Sequence, residues 1–220
     1  MLFPNILCID NFFDDPDKVV RLSKEFKYTH DKYYPGKRTG PLHSLNYEFF
    51  NHVNLKISSV FYPTETTKLR YRASTYFEKI KKLEHDGWVH VDKDFKFTAI
   101  VYLNKENTAG TSIFYPKDFK GLNINKADLL KYSYFAKKGK LPKNKLQQVK
   151  KARAECNDSF QKTFSMEGIY NRLVVFDGNT YHASNPLKKD HERLILISFF
   201  KDISLNDGSI KFPVPTMRTV

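Results

Sequence analysis

Cysteine is nearly absent: Cys8 and Cys156 are the only two in 220 residues, and no CxxC pair exists. This excludes a disulfide scaffold and leaves no spacing for a cysteine zinc site or a dithiol redox centre, so a reducing compartment is expected. Nowhere do eighteen apolar residues run together, and no membrane-spanning helix is therefore expected. The opening MLFPNILCID lacks a basic n-region and Asp10 interrupts its apolar stretch, so the expected location is cytoplasmic rather than secreted. Internal repeats and low-complexity tracts are also lacking.

Acidic residues are the scarcer charge, 24 Asp and Glu against 37 Lys and Arg, for a formal charge of +13. That balance favours acidic small molecules, polyanions or headgroups as partners without naming one. At 40% hydrophobic and 15% aromatic residues, the chain has too much to bury for disorder. Its length suits one domain over 1–220, long enough for a large core without a staple.

Residues 5–9 read as a strand. Asp15 followed by Pro16 starts a helix over about 16–27 with Val19, Leu22 and Phe26 on one face. YYPGKRTGP reads as a turn-rich loop. Ser44 is the expected cap of a second helix whose stripe is Leu45, Phe49, Val53, Ile57 and Phe61, closed by Pro63. From residue 69 the period falls to two: LRYRASTYF, GWVHVD, FTAIVYL, TSIFY, RLVVF, YHASN and RLILISFF are seven short runs rich in β-branched and aromatic residues. They predict a sandwich, jelly roll or barrel at 69–201, with 1–68 as helical support and 202–220 as a tail.

Between TSIFY and RLVVF, residues 117–168 carry thirteen Lys and Arg against five Asp and Glu, a net +8. Asn125 with Asp128 resembles a capping box, and Leu146, Val149, Cys156, Phe160 and Phe164 keep helical spacing. The stretch is expected to be a helical insertion, either a solvated face or a mobile lid outside the β core.

The chemistry-bearing residues lie in the β region. In Trp88-Val-His90-Val-Asp92, residues two apart in a strand share a face, so His90 and Asp92 point together with Trp88 beside them as core or pocket wall. A distant His182 in YHASNP completes two histidines and one carboxylate, a set that leaves three positions of an octahedral iron open. Arg193 opens RLILISFF, where its guanidinium could clamp a dicarboxylate or pair with Glu192 or Asp190. Thr98, Ile100 and Tyr102 share a mixed face of FTAIVYL, suited to a pocket, and Phe97, Ala99, Val101 and Leu103 an apolar one. Ser184 lies on the face of His182. His30, His43, His52, His85 and His191 have no ligand spacing and read as surface or turn residues.

The ordered stretches HVDKDFKFTAIVYLNKE, GTSIFYP, NRLVVFDGNTYHASNP and ERLILISFF, spanning residues 88–201, resemble the prolyl-hydroxylase-like Fe(II)/2-oxoglutarate oxygenases. The resemblance implies a mainly β fold, a double-stranded β-helix (jelly roll) with helices packed on one face. It implies that His90, Asp92 and His182 bind Fe(II), that Arg193 and Tyr102 hold the distal carboxylate of 2-oxoglutarate, and that Thr98 and Ser184 lie at the cosubstrate. The implied reaction is hydroxylation of a C–H bond with O2, giving succinate and CO2, with ascorbate as a reductant. The substrate stays open between a peptidyl side chain, prolyl included, and a small molecule; nucleic acid is permitted by charge but accompanied by no motif. The contrasting class is a non-catalytic jelly-roll module that binds a ligand or partner and retains the triad. One departure from the family precedes the motif: FEKIKKLEHDG stands where a ligand-contacting tyrosine is frequent, leaving Tyr76 and Ser74 as candidates.

Overall fold

The computed structural model describes residues 6–30, 34, 36–61, 70–83, 87–92, 94–106, 108–118, 142–205 and 208–209. The expected capping box at Asn125 and Asp128, His85 and Pro63 lie outside them.

Among the described residues, two antiparallel sheets carry the fold. The larger contains β1 (Ile6–Ile9), β2 (Thr29–His30), β3 (Lys37–Arg38), β4 (Arg70–Leu83), β5 (Phe97–Tyr102), β8 (Leu173–Asp177), β10 (Leu187–Leu205) and β11 (Gly208–Ser209). Its order is β1-β8-β5-β10-β4-β3-β2, with β11 on β10. The smaller runs β7 (Phe160–Gly168), β6 (Thr108–Pro116), β9 (His182–Ser184); GWVHVD, expected as a strand, forms none and joins this sheet only through an isolated bridge from His90 to His182.

Period-two alternation sorts the larger sheet's side chains between two cores. Phe97, Ala99, Val101 and Leu103 join Leu194, Leu196 and Phe200 on the outer face, against α1 (Pro16–Ser23) and α3 (Tyr47–Phe61) through Val19, Val53 and Ile57. Ile100 and Tyr102 join Ile195, Ile197, Phe199, Val174 and Phe176 on the inner face, meeting Ile113 and Met166 of the smaller sheet. The helices therefore lie on one face, and the second core lies between the sheets, as in a jelly roll.

α1 starts as expected, with Asp15 accepting from Lys18 N at 2.9 Å and Pro16 in the first turn. It stops at Ser23, four residues early, because the Tyr28 hydroxyl takes the Ser23 carbonyl at 2.9 Å and Lys24 N–H closes on Arg21 O. The second helix is split. A short α2 (Leu42–Leu45) precedes α3, and Asn46, not Ser44, caps α3 by accepting from Phe49 N at 3.0 Å. The break changes the phase, so Leu42 is buried and Leu45 is exposed.

The largest correction falls on 117–168. Residues Lys143–Asp158 form a helix, α4, as expected, but Phe160 and Phe164 stand on β7, paired along β6 from Tyr115↔Gln161 to Thr108↔Gly168. The spacing of four that looks helical is equally compatible with a strand, and pairing with β6 decides between them; a register shift between Ile113 and Phe114 lies between the two residues, of which Phe160 is buried and Phe164 exposed. β7 belongs to the β core. The turn-rich YYPGKRTGP likewise contains β3, and β4 continues through FEKIKKL to Leu83.

Candidate metal and oxoacid site

His90, Asp92 and His182 converge where the two sheets meet. Backbone bonds between His90 and His182, 3.1 and 2.9 Å, fix the histidines side by side, and Asp92 N–H reaches Gly178 O at 2.7 Å. Gly178 is required by this approach: a Cβ there would stand 2.0 Å from Phe95 O and 2.8 Å from Asp92 O, closer than any methyl group tolerates. The three side chains bring one ligand atom each to within 4.8 Å of one another.

The orientation of each ring follows from its second nitrogen. His90 Nδ1 lies 2.8 Å from Trp88 O, and His182 Nδ1 lies 2.9 Å from Thr180 O. A carbonyl only accepts, so each Nδ1 carries a proton and each Nε2 is the ring atom left for a metal. Those Nε2 atoms face Asp92, at 3.9 Å from Oδ1 for His90 and 3.6 Å from Oδ2 for His182. Thr98 Oγ1 donates to Asp92 Oδ2 at 2.6 Å, and the rings of Phe176 and His90 flank His182 at 4.4 and 4.3 Å. Two imidazoles and a carboxylate with their outer atoms anchored are suited to hold one divalent cation.

Deeper in the inner core stands Arg193, buried and in register with Ile80 of β4. Its Nη1 donates to Gly110 O at 3.4 Å, and its Nε has no hydrogen-bond partner among the described residues. An orphaned guanidinium N–H in a buried position is costly, and a carboxylate relieves that cost. Tyr102 lies fully buried opposite Ile195, sharing a 2.7 Å hydrogen bond with Thr111 Oγ1. Burial pushes its phenol above the ordinary value, against the pull of the Arg193 charge; it stays a neutral donor.

A family of unknown function, DUF6445, matches residues 4–192. The chain belongs to that family. No protein of curated function matches it in sequence. Among solved structures, HygX from Streptomyces hygroscopicus with nickel and 2-oxoglutarate bound superposes with a TM-score of 0.59 at 10% identity, covering 90% of this chain and 82% of that one. A Trichoplax adhaerens prolyl hydroxylase in complex with a hypoxia inducible factor oxygen degradation domain peptide fragment gives 0.52 at 12% identity over 89% and 82%. A Pseudomonas putida prolyl-4-hydroxylase gives 0.50 at 13% identity over 90% and 92%. At these identities the likeness is one of fold, the double-stranded β-helix.

Of the residues singled out in the sequence, His90, Asp92, His182, Thr98, Arg193 and Tyr102 line one interior. Thr98, expected at the cosubstrate, donates its hydroxyl proton to Asp92. Ser184 pairs with Thr111, and its carbonyl accepts from Gly87 N; its hydroxyl has no hydrogen-bond partner among the described residues. The Glu192 carboxylate faces Lys79 and Lys81 rather than Arg193; the alternative partner Asp190 lies outside the described side chains. His30, His43 and His52 are exposed, as expected.

Ser74, Tyr76 and Glu78 of β4 oppose Phe199, Ile197 and Ile195 and face the same interior. Glu78, buried and ion-paired with Arg38 of β3, was not among the candidates. In FEKIKKL it resembles one charge of a solvated surface; its alternation with Ser74 and Tyr76 was the available signal. Trp88 is buried against Val149, Ala152 and Cys156 of α4.

Proposed function

We propose that this chain is an Fe(II)- and 2-oxoglutarate-dependent oxygenase, built as one domain, that hydroxylates a C–H bond of a peptidyl or small-molecule substrate. The carrying observation is the convergence of His90, Asp92 and His182 with both Nδ1 atoms tied to carbonyls and both Nε2 atoms turned to the carboxylate. In this reading those three side chains hold the metal on one face, and Thr98 and the two carbonyls keep them oriented. Arg193 takes the distal carboxylate of 2-oxoglutarate, with Tyr102 as neutral donor beside it. Ile100, Ile195, Ile197 and Phe199 form apolar walls that exclude water from the reacting centre. Ferrous iron, when bound, supplies the redox chemistry that couples oxidation of 2-oxoglutarate to succinate and CO2 to oxygen insertion.

The neighbouring folds are seen with bound molecules as different as a protein peptide fragment and hygromycin B, the latter in HygX. The substrate class accordingly rests on experiment. The direct test is conversion of 2-oxoglutarate to succinate by the purified protein with Fe(II), O2 and ascorbate, followed by mass spectrometry. Turnover lost in Asp92→Ala supports the oxygenase. Metal and 2-oxoglutarate binding with no succinate, even in the presence of peptide and metabolite mixtures, would favour the non-catalytic binding module.

A further inference from the structure

Glu78 is a buried carboxylate with no part in the chemistry proposed above, yet it stands beside the cation that chemistry needs. Its Oε2 accepts from Arg38 Nε, while its Oε1 lies 3.9 Å from Arg193 Nη2, beyond hydrogen-bond distance. The Glu78 and Arg193 side chains are each 4% exposed and that of Arg38 is 16% exposed. In such surroundings opposite charges attract strongly, and a small rotation would close Glu78 onto Arg193. Arg38 prevents it. Its guanidinium lies 3.8 Å from the Tyr34 ring centroid, with Phe199 at 5.3 Å and Tyr76 at 5.7 Å, and this aromatic setting favours the cation where it bonds Oε2, the oxygen other than the one Arg193 faces.

We propose that Arg38 is a positioning residue that holds the Glu78 carboxylate off Arg193, leaving Arg193 free for the distal carboxylate of the oxoacid cosubstrate. The inference rests on the assignment of Arg193 to that carboxylate. The charge count agrees: Arg38 and Arg193 against Glu78 leave one positive charge, the complement of one carboxylate, and the unpartnered Arg193 Nε is the donor still to be used. Without Arg38 the count falls to zero and Glu78 becomes an internal competitor for the cosubstrate's place. A purely structural Arg38–Glu78 pair makes a different prediction: loss of Arg38 would then lower thermal stability and weaken Mn(II) and 2-oxoglutarate binding together, whereas a released competitor weakens 2-oxoglutarate binding with Mn(II) affinity unchanged.

The experiment is calorimetric titration of 2-oxoglutarate into the full chain loaded with Mn(II) under anaerobic conditions, with thermal unfolding confirming the fold of each variant. Arg38→Gln is expected to weaken 2-oxoglutarate binding roughly tenfold or more, the scale of a lost charge-assisted contact. Arg38→Gln combined with Glu78→Gln is expected to restore binding to within about threefold of wild type, under half the logarithmic span of that loss. Wild-type binding in Arg38→Gln, or a double variant as weak as the single, overturns the proposal. Should Arg38→Gln fail to fold, Arg38→Lys, which loses the planar fork, carries the same comparison: weakened binding that Glu78→Gln repairs supports the proposal, and wild-type binding overturns it. Arg193→Ala separates the two levels. If it binds 2-oxoglutarate like wild type, the cosubstrate assignment fails and the inference falls with it; if it is impaired while the double variant stays weak, only the inference fails.

Discussion

Asp92 offers two oxygens to the interior, and Thr98 decides how they lie by donating to one of them at 2.6 Å. Groups that orient a ligand from behind typically contribute 10–100-fold to metal affinity. Thr98→Val, which keeps the shape and removes the donor, is therefore expected to weaken Mn(II) binding about tenfold in anaerobic calorimetry, and Asp92→Ala to abolish it. An unchanged affinity in Thr98→Val would show that Asp92 is held by its backbone bond to Gly178 alone. Tyr102 makes a second residue-scale case. Tyr102→Phe removes the phenol that shares a hydrogen bond with Thr111, and its neutral donor is worth less than a charge-assisted one. The expected loss in 2-oxoglutarate affinity is about threefold to tenfold, with metal affinity unaltered. His90, Asp92, Tyr102, His182 and Arg193 were all legible in the sequence: two-residue alternation places Tyr102 and Arg193 on the inner face of β5 and β10, while His90 and Asp92 stood out by spacing alone, in a stretch that pairs only through the His90–His182 bridge. Glu78 and Arg38 were not: two charged residues among lysines and turn residues look solvated until β3 lies down beside β4.

At the scale of elements, α4 and the His90 segment are joined more tightly than a detachable insertion would be. The Asn157 side chain accepts from Val89 N at 3.0 Å and donates to Gly87 O at 3.0 Å, so its amide covers the free edge of the stretch that carries His90. Between those two bonds Trp88 packs on Val149, Ala152 and Cys156, and Trp88 O receives the His90 Nδ1 proton. Asn157→Ala leaves a backbone donor and acceptor without partners and is expected to cost about 1–3 kcal/mol. The measurement is native-state amide exchange: Val89 N–H should exchange faster than in wild type, and Mn(II) affinity should fall with it. Protection at Val89 equal to wild type would mean that packing at Trp88 holds the edge without Asn157. Nothing local announces this clamp; Asn157 follows Cys156 near a helix C-terminus as any polar residue might.

For the molecule as a whole, the segment 117–168 combines the excess of positive charge with a strand of the β core. A lid added outside the barrel would be dispensable; this one supplies β7, paired along β6, and α4, packed on Trp88. Replacing 117–168 by a short Gly/Ser loop is expected to remove the cooperative thermal transition, because β6 loses its partner on one side and the smaller sheet loses an entire strand. A replacement that melts like wild type would return the segment to the status of a lid. Among the described residues no helix is long and apolar enough to cross a membrane, in keeping with the lack of any eighteen-residue apolar run.

The sequence by itself determined the alternating strands, the two faces of β5 and β10, the helical start at Asp15 and Pro16, and the identity of the residues that converge at the candidate site. Each of these depends on residues a few positions apart, where the geometry of a strand or a first helical turn leaves one outcome. Tertiary structure decided the rest. The break at Asn46 moved burial from Leu45 to Leu42, the partner strand β6 turned a helical spacing into β7, and register brought Glu78 between Arg38 and Arg193. These outcomes depend on groups tens of residues apart, whose burial and pairing energies outweigh local preference once the sheets have closed.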